Sequence, residues 1–435
     1  MAIDLLQGLD DSAIGERIYQ TACDLFPICR SITGDGVRQT LSMLAGLGAD
    51  IKISEIASGE KIFDWTVPDE WNIHDAYIKD PLGRKIVDFR KNNLHLLNYS
   101  VPVHARISLT ELKQHLYTIP DQPDLVPYRT SYYAKTWGFC LSHRQMLTLT
   151  EGEYEVLIES SLQPGSMTYG EILLNGASED EVMIYTHICH PSLANDNLSG
   201  MALAAHMANY LAGKPLRHSY RFIFAPGTIG SIAWLASNET RTGRIKHGLV
   251  VCLVGDPGEM TYKKSRDGDA SIDRIAMYVL KGRTSSYKLR EFEPYGYDER
   301  QFCSPGFNLP VGRLTRTANG EYPEYHTSGD NLDFIQPDKL ADSFRVLAEI
   351  VEVIENDSIF INTNPKCEPQ LGKRGLYRMT GGRNIGGLEH AMLWVLNQSD
   401  GGSSLLDIAL RSDIPVKELA RAADLLKQSG LLVEA

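Results

Sequence analysis

Apolar residues near the start of the chain recur at the spacing of an α-helix. The residues that fall on one face of such a helix are Ile14, Ile18, Ala22 and Leu25. Pro27 interrupts this pattern, and a second helical pattern runs over residues 36–47. We therefore predict that residues 1–55 form the helical N-terminal part of a larger domain.

From about residue 51 the helical spacing gives way to short alternating runs separated by Gly, Pro, Asn and Asp. Alternation with a period of two, interrupted by turn residues, is typical of short β-strands. We predict a small, mostly β module over residues 56–125, inserted into the main domain.

Between about residues 150 and 365, apolar runs of strand length alternate with helical runs. This alternation predicts parallel strands joined by crossover helices in a layered α/β sheet, and we assign residues 126–365 to that domain. Three segments, HICHP, APGTIGS and GDPGE, each follow a predicted strand. Because ligands of such sheets bind at the carboxyl ends of strands, we expect these segments to face one crevice.

The last part of the chain, residues 370–435, follows a linker rich in Pro and Asn. Its pattern predicts a helix, two further helices around a turn, and a final strand, which is the order of a winged helix. The third helix carries three basic and two acidic residues, a net charge of +1. Because a DNA-reading helix is usually more basic, we predict a structural or self-associating role, with this domain as the candidate surface for a homo-oligomer.

Composition restricts the partners and the location of the chain. The hydrophobic fraction of 43% is that of an ordinary globular protein, and the net charge of -12 disfavours nucleic acid as a ligand. The seven cysteines include no C-x-x-C pair, which favours reduced thiols. The N-terminus lacks signal-peptide features, and no window reaches the ~18 apolar residues of a membrane span. We expect a cytoplasmic protein with no nucleic-acid or membrane partner.

The segment from His187 to Gly200 concentrates residues that bind metal ions. His187 and His190 lie three positions apart at a predicted strand end, and Asp196 follows in a polar loop before a helix. Imidazole and carboxylate together suit zinc or a similar divalent ion. A polar loop without a ligand is the simpler alternative, but two histidines and one aspartate within ten residues favour a metal site.

This segment resembles the G-H-x-D and A-N-D-N-x-S-G motifs of the co-catalytic zinc aminopeptidases. In those enzymes the first histidine binds one metal and the aspartate bridges two, which implies ligand roles for His187 and Asp196. The segment YHTSGDN, residues 325–331, is similar to the one that supplies the distal histidine ligand. The resemblance therefore implies that His326 completes the site.

Longer stretches resemble a group of bacterial aminopeptidase-like proteins that are often labelled polysaccharide-biosynthesis proteins. Among them are FPICRSITGDGVRQTL, FDWTVPDEWNI, CHPSLANDNLSG and EYPEYHTSGDNLDF. The resemblance implies a zinc-aminopeptidase-like three-layer α/β sandwich with a small inserted β domain and a C-terminal winged-helix domain. Because His190 belongs to the Cys-His-Pro-Ser stretch of this group, both His187 and His190 stay open as the ligand.

The chain departs from the aminopeptidase pattern where that pattern has a Glu-Glu pair, one a general base and one a metal ligand. Residues 225–231, APGTIGS, contain no carboxylate, and Cys189 replaces an aspartate that orients the histidine. The lost oxygen ligand predicts one ion per chain, zinc by resemblance. The lost base, typically worth ~10²- to 10⁴-fold in rate, needs a substitute.

Asp298 and Glu299 are the candidate substitutes, because they resemble an aspartate that lies near the substrate in the aminopeptidases. Asp256, at the end of VVCLVGD, is a further candidate metal ligand, although such aspartates are more often turn residues.

Two functions follow. One is a zinc-dependent aminopeptidase or amide hydrolase acting on a peptide or a small amino-containing molecule. The other is a non-catalytic binding or assembly protein with one structural metal. The missing Glu-Glu pair favours the second, and the retained His190, Asp196 and His326 favour the first.

Overall fold

The computed structural model of the chain describes residues 2–377 and 386–435. The chain divides into two compact units. The larger unit consists of Asp10–Asp273 and Ser285–Phe344. The smaller unit consists of Met1–Leu9, Arg274–Thr284 and Arg345–Ala435. Part of the predicted winged-helix domain, residues 378–385, lies outside the described residues.

Helices and strands alternate along most of the described chain. The helices are α1 (Asp11–Leu25), α2 (Asp35–Ala45), α3 (Leu109–Leu112), α4 (His143–Leu147), α5 (Gly200–Leu211), α6 (Ile229–Asn238), α7 (Ser271–Lys281), α8 (Glu299–Phe302), α9 (Pro337–Asn356), α10 (Gly387–Gln398), α11 (Leu405–Ser412) and α12 (Val416–Gln428). The strands are β1 (Lys52–Ala57), β2 (Lys61–Ile62), β3 (Trp65–Thr66), β4 (Glu70–Lys79), β5 (Lys85–Asp88), β6 (Val103–Ser108), β7 (Leu116–Tyr117), β8 (Phe139–Cys140), β9 (Glu153–Gln163), β10 (Ser166–Leu174), β11 (Glu181–His187), β12 (Ser219–Ala225), β13 (Ile245–Val251), β14 (Met260–Lys263), β15 (Tyr287–Arg290), β16 (Val311–Thr315), β17 (Ile359–Asn362), β18 (Asp400–Ser404) and β19 (Leu432–Glu434).

The larger unit is built on a sheet with the strand order β1-β10-β12-β11-β13-β16-β14-β15. Strands β12, β11, β13 and β16 run parallel to one another. The pairs β1–β10, β10–β12 and β14–β16 are antiparallel, and the edge strand β15 is parallel to β14. Strands β11 and β12 are buried along their whole length, which explains their nearly continuous apolar sequences. The predicted layered α/β sheet is therefore confirmed.

The parallel strands bring the three polar segments of the sequence to one edge of the sheet. HICHP begins at the end of β11, APGTIGS at the end of β12, and GDPGE shortly after β13. Carboxyl ends of parallel strands meet at the same edge, so the loops that follow them converge. This edge carries the candidate site.

Helix α1 forms where the sequence predicts it. The side chain of Asp10 caps its first turn by accepting a hydrogen bond from the backbone N–H of Ala13. The four apolar residues of the predicted face are all buried. Helix α2 begins at Asp35, after Gly34, whose φ of 93° lies in a region that favours glycine.

A second sheet has the antiparallel order β5-β4-β9-β6. Trp71 on β4 belongs to the hydrophobic core, where its indole stacks on Tyr99 at 5.7 Å and donates a hydrogen bond to the carbonyl oxygen of Ser100. Strand β9 pairs with both β4 and β6. The strands of this sheet therefore continue past residue 125, where the sequence places the end of the inserted module.

The smaller unit contains a three-stranded sheet of order β18-β17-β19 together with α10, α11 and α12. Its central strand β17 precedes residue 370, the predicted start of the winged-helix domain. Helix α11 opens with a reciprocal capping box between Ser404 and Asp407. Across residues 2–377 and 386–435, no helix combines the length and apolar character needed to cross a lipid bilayer.

Candidate metal centre

The metal-binding segment begins on strand β11 and ends at helix α5. His187 is the last residue of β11, and a buried irregular turn over Ala194–Ser199 leads into the helix. The side-chain amide of Asn197 donates hydrogen bonds to Thr186 Oγ1 at 2.8 Å and to the carbonyl oxygen of His187 at 3.1 Å. These bonds fold the loop back onto the strand, which places Asp196 beside the histidines.

Three imidazoles surround the carboxylate of Asp196. His187 Nε2 lies 2.8 Å from Oδ1, His190 Nδ1 lies 3.3 Å from Oδ1, and His326 Nε2 lies 3.0 Å from Oδ2. Candidate ligand atoms of His187, His190 and Asp196 all fall within 4.8 Å of one another. The four residues that the motifs singled out as the core of the site therefore gather around one carboxylate, with His326 near Oδ2 and the other two histidines near Oδ1.

Burial and charge determine the protonation of this cluster. Asp196 is fully buried, which opposes ionisation, but the three imidazoles outweigh burial and hold its pKa well below the usual range. For His190, burial lowers the pKa while the Asp196 carboxylate outweighs it and raises the pKa. For His326, burial prevails and lowers the pKa. The environment of Asp196 therefore favours the ionised form of its carboxyl group.

The loop around Asp196 is held from behind by a second aspartate. Asp330 accepts hydrogen bonds from the backbone N–H groups of Asn195 and Asp196. Burial raises the pKa of Asp330 to about 8, against these two bonds. Because Asp330 belongs to the same segment as His326, one stretch of chain both supports the loop and supplies an imidazole.

Asp256, a candidate ligand, lies in the turn after β13 and is 1% exposed. Its carboxylate accepts hydrogen bonds from Asn195 Nδ2 at 3.0 Å, from Thr317 Oγ1, and from the backbone N–H of Gly258 at 2.8 Å. Both oxygens thus already have neutral donors, and Asp256 stands outside the group of His187, His190 and Asp196. Its role as a metal ligand stays a prediction.

Two tyrosines stack on the imidazoles. Tyr297 lies parallel to His187 with ring centroids 4.7 Å apart, and Tyr325 lies parallel to His326 at 4.0 Å. The Tyr297 hydroxyl donates to the Tyr325 hydroxyl at 3.3 Å. The pair restricts the orientation of both imidazoles.

Further contacts fix the side of the cluster that contains His190. The ring of Tyr128 meets His190 and His326 edge-on, in each case with centroids 5.1 Å apart. Arg30 is fully buried and donates to the carbonyl oxygens of His190 at 2.8 Å and Pro191 at 3.3 Å. Arg30 therefore holds the backbone that carries His190.

Asp298 lies beside the segment that has no Glu-Glu pair. Its Oδ1 accepts hydrogen bonds from the backbone N–H of Thr228 at 2.8 Å and from Ser231 Oγ at 2.6 Å. Burial raises the pKa of Asp298, against the hydrogen bond from Ser231 and the nearby His187 imidazole. The carboxylate of Asp298, just before α8, therefore contacts the loop that follows β12.

The next residue, Glu299, contacts two cationic side chains. Its Oε1 lies 2.9 Å from Lys263 Nζ and 3.4 Å from Arg313 Nη1, and all three side chains are at most 4% exposed. Lys263 also donates to the carbonyl oxygens of Glu293 and Tyr295. Glu299 therefore forms a buried ion pair that anchors the loop before α8.

Comparison with known proteins shows the relationship of the chain. Residues 19–357 match the family described as "Domain of unknown function (DUF4910)", which is more than half of the chain. The chain belongs to the DUF4910 family. Residues 358–434 of this DUF4910 protein match a winged helix-turn-helix family.

Relatives of this DUF4910 protein carry names that refer to peptidases. One, from Clostridium acetobutylicum, is named "Putative polysaccharide biosynthesis protein with aminopeptidase-like domain" and is 50% identical over 424 residues, 97% of each chain. A crystal structure from the same organism, described as a "putative peptidase", has a TM-score of 0.91 at 49% identity and covers 98% of this chain and 97% of that one. The predicted membership of an aminopeptidase-like group with a winged helix is confirmed.

A more distant structure has the same fold. BSAP, a zinc aminopeptidase from Bacillus subtilis, matches the DUF4910 protein with a TM-score of 0.55 at 15% identity and covers 78% of this chain and 94% of that one. At this identity the likeness concerns the fold alone. The predicted fold class, aminopeptidase-like α/β with a C-terminal winged helix, is confirmed.

Sequence motifs did not identify every residue that shapes this DUF4910 site. Lys263 and Arg313 act through contacts with segments distant in sequence, and no local pattern marks them. Tyr297 could have been found from the sequence, because it directly precedes Asp298, which was already a candidate site residue.

Proposed function

We propose that the chain is a zinc-dependent amide hydrolase that holds one ion between Asp196 and the surrounding imidazoles. The observation that supports this most directly is the approach of three imidazole nitrogens to within 3.3 Å of one buried, ionised carboxylate. Histidine with carboxylate is a donor set that zinc prefers, so the residues present fit the ion. Three protein ligands leave a position for substrate, as in catalytic sites.

We assign the ligands as His190, Asp196 and His326. His326 is 34% exposed and His190 12%, whereas His187 is 1% exposed beneath Tyr297, so substrate can approach only the side formed by the first two. His190 Nδ1 lies 3.0 Å from the carbonyl oxygen of Asp196. Nδ1 therefore faces both the carboxylate and the backbone of Asp196, which fixes the His190 ring beside this residue. His187 then orients Asp196 from the buried side.

A zinc ion in this position supplies Lewis-acid polarisation of a carbonyl group and lowers the pKa of water. The residues of the chain supply the remaining chemistry. Asp298 accepts and returns the proton, because its raised pKa and its place next to the loop after β12 suit a general base. Glu299 does not, because its charge is neutralised by Lys263 and Arg313.

A non-catalytic binding or assembly role is the alternative. It is favoured by residues 225–231, which hold no carboxylate where aminopeptidases have the Glu-Glu pair. In that role His190, Asp196 and His326 would hold a structural ion, and Asp298 would serve only to cap the loop through Thr228 and Ser231.

Metal analysis combined with hydrolysis assays tests the proposal. We expect the purified full chain to bind about one equivalent of zinc, because three ligands of the right types converge on one point. The zinc-loaded chain is expected to release para-nitroaniline from a panel of acyl and aminoacyl para-nitroanilides, and chelation to stop the release. A zinc-loaded chain inert on the whole panel would support the binding role. A chain that takes up no zinc would contradict both functions.

We expect the chain not to bind duplex DNA through its winged helix. Two basic residues of α12 already have acidic partners within the smaller unit: Lys417 pairs with Asp4 and Glu352, and Arg421 Nη2 lies 3.5 Å from Asp4. Fluorescence anisotropy with a mixed-sequence duplex should show only binding weaker than roughly micromolar, the range of non-specific contacts. Submicromolar binding that weakens with salt would contradict this. Self-association through this domain remains a prediction, which light scattering of the full chain tests.

A further inference from the structure

Arg300 on α8 is a half-buried cation without an acidic partner. Within the described part of the chain it forms no ion pair, and its Nε is buried with no hydrogen-bond partner. Its one hydrogen bond is a long contact, 3.4 Å, from Nη2 to Thr228 Oγ1. Two other arginines of the larger unit, by contrast, have acidic partners: Arg38 pairs with Glu70 and Arg221 with Glu181. A half-buried guanidinium that no carboxylate satisfies is free to bind an anion.

Through Thr228, Arg300 contacts the loop after β12, which packs against the end of β11. Gly227, the preceding residue, lies so close that a Cβ on it would be 3.6 Å from His187 Cβ and 3.3 Å from Cys189 Sγ. Thr228 itself has a φ of 62°, rare for a residue with a side chain. The backbone N–H of Thr228 donates a hydrogen bond to Asp298, which stabilises this conformation. The position of Thr228 Oγ1, and of the Arg300 side chain that contacts it, is fixed as a result.

Apart from Asp298, the proposed proton acceptor, the same part of the crevice offers no carboxylate to a substrate ammonium group. The loop APGTIGS has none, Asp298 is engaged by Thr228 and Ser231, and Glu299 is neutralised by Lys263 and Arg313. An ammonium group would therefore meet a guanidinium rather than an anion. Like charges in a partly buried site repel, so a free amino group is disfavoured there.

We infer that Arg300 binds a carboxylate carried by the acyl part of the substrate, so that the site selects anionic N-acyl amides over peptides with a free N-terminal amine. The inference rests on the proposed hydrolase function. Under this inference, the hydrolase removes an acidic acyl group from its substrate and does not remove an N-terminal amino acid. Arginine suits this role because its planar fork matches a carboxylate with two parallel hydrogen bonds.

Three para-nitroanilides of similar size test how the charge of the acyl group affects the rate. Their acyl groups come from succinic acid (anionic), butyric acid (neutral) and alanine (cationic). We expect the zinc-loaded full chain to prefer the succinic compound. Arg300→Gln is expected to lower kcat/KM for that compound by about 10- to 100-fold, mostly through KM, since a hydrogen-bonded charge is lost. Its rate on the butyric compound should stay within about twofold, and Arg300→Lys should recover part of the loss.

Arg106→Gln provides the matched control, because this arginine is 73% exposed and lies on β6 of the other sheet. It removes the same charge from the same unit and is expected to change none of the three rates. A structural effect of Arg300→Gln would lower all three rates together. The ratio of kcat/KM for the succinic compound to kcat/KM for the butyric compound therefore measures recognition of the carboxylate alone.

Calorimetry with N-phenylsuccinamic acid separates the inference from the proposed function. If no nitroanilide is hydrolysed but this ligand binds at least about tenfold more weakly to Arg300→Gln than to the original chain, hydrolysis is contradicted and the anion site stands. If the alanine compound is the best substrate, or Arg300→Gln affects all compounds equally, hydrolysis stands and the anion site is overturned. Absence of both turnover and binding overturns both.

Discussion

Replacing Asp196 by asparagine is expected to lower the affinity of the chain for zinc by more than about 100-fold, because losing even an outer partner of a ligand typically costs about 10- to 100-fold. Asp196 is the fully buried carboxylate around which three imidazoles gather. Without its charge the imidazoles face a neutral amide, which is a poor ligand. Competition with a chromophoric chelator measures the affinity. Asp333→Asn, at an exposed position seven residues after His326 in the chain, is the control and should leave affinity unchanged.

The same measurement decides between the histidines. His190→Ala and His326→Ala are expected to lose zinc as severely as the Asp196 variant, since each removes a ligand. His187→Ala is expected to cost about 10- to 100-fold, the effect of a residue that only orients the carboxylate. If His187→Ala is the severe variant and His190→Ala binds zinc normally, the ligand is His187 and the assignment is wrong.

Replacing Asp298 by asparagine is expected to lower kcat by about 10²- to 10⁴-fold while zinc content and stability stay close to normal. Asparagine can still accept the hydrogen bonds from Thr228 and Ser231, so the loop keeps its conformation. What it cannot do is take up a proton. Steady-state rates and metal analysis on the same preparation separate chemistry from metal loss.

Glu299→Gln is the matched variant one residue away, and the opposite result is expected. Removing this charge leaves Lys263 and Arg313 buried without a counterion, which typically costs roughly 3–5 kcal/mol in the free energy of unfolding. Denaturant unfolding should show that loss, while kcat of the folded protein stays within about tenfold of normal. A stable Glu299→Gln with a much lower kcat, alongside an active Asp298→Asn, would exchange the roles of the two carboxylates.

Local sequence patterns were sufficient for the elements that carry the site. The apolar run before HICHP predicted a buried strand, and β11 is buried at every position. The four apolar residues of α1 predicted its buried face. Such predictions succeed because period and hydrophobicity depend on neighbouring residues only. The motifs also named His190, Asp196 and His326, which lie together in the structure, and their role as metal ligands stays a prediction.

The local sequence patterns could not predict which strands pair with each other. Strand β9 joins the small sheet by pairing with β4, some eighty residues earlier in the chain, although the sequence places the end of that module at residue 125. An alternating run specifies which face of a strand is buried, but it does not name the partner strand. The partner follows from how the whole core packs.

The two adjacent carboxylates show where the sequence stops being informative. From the sequence alone, Asp298 and Glu299 are neighbours of similar chemistry, and both qualify as the missing base. The tertiary structure separates them, because Asp298 meets Thr228 and Ser231 while Glu299 meets two cations from β14 and β16. The sequence by itself thus determined the fold class and named the group of histidines and aspartate that the structure brings together. The environment of each charge was decided only by residues that folding brings from distant strands, and that environment sets whether a carboxylate can take up a proton.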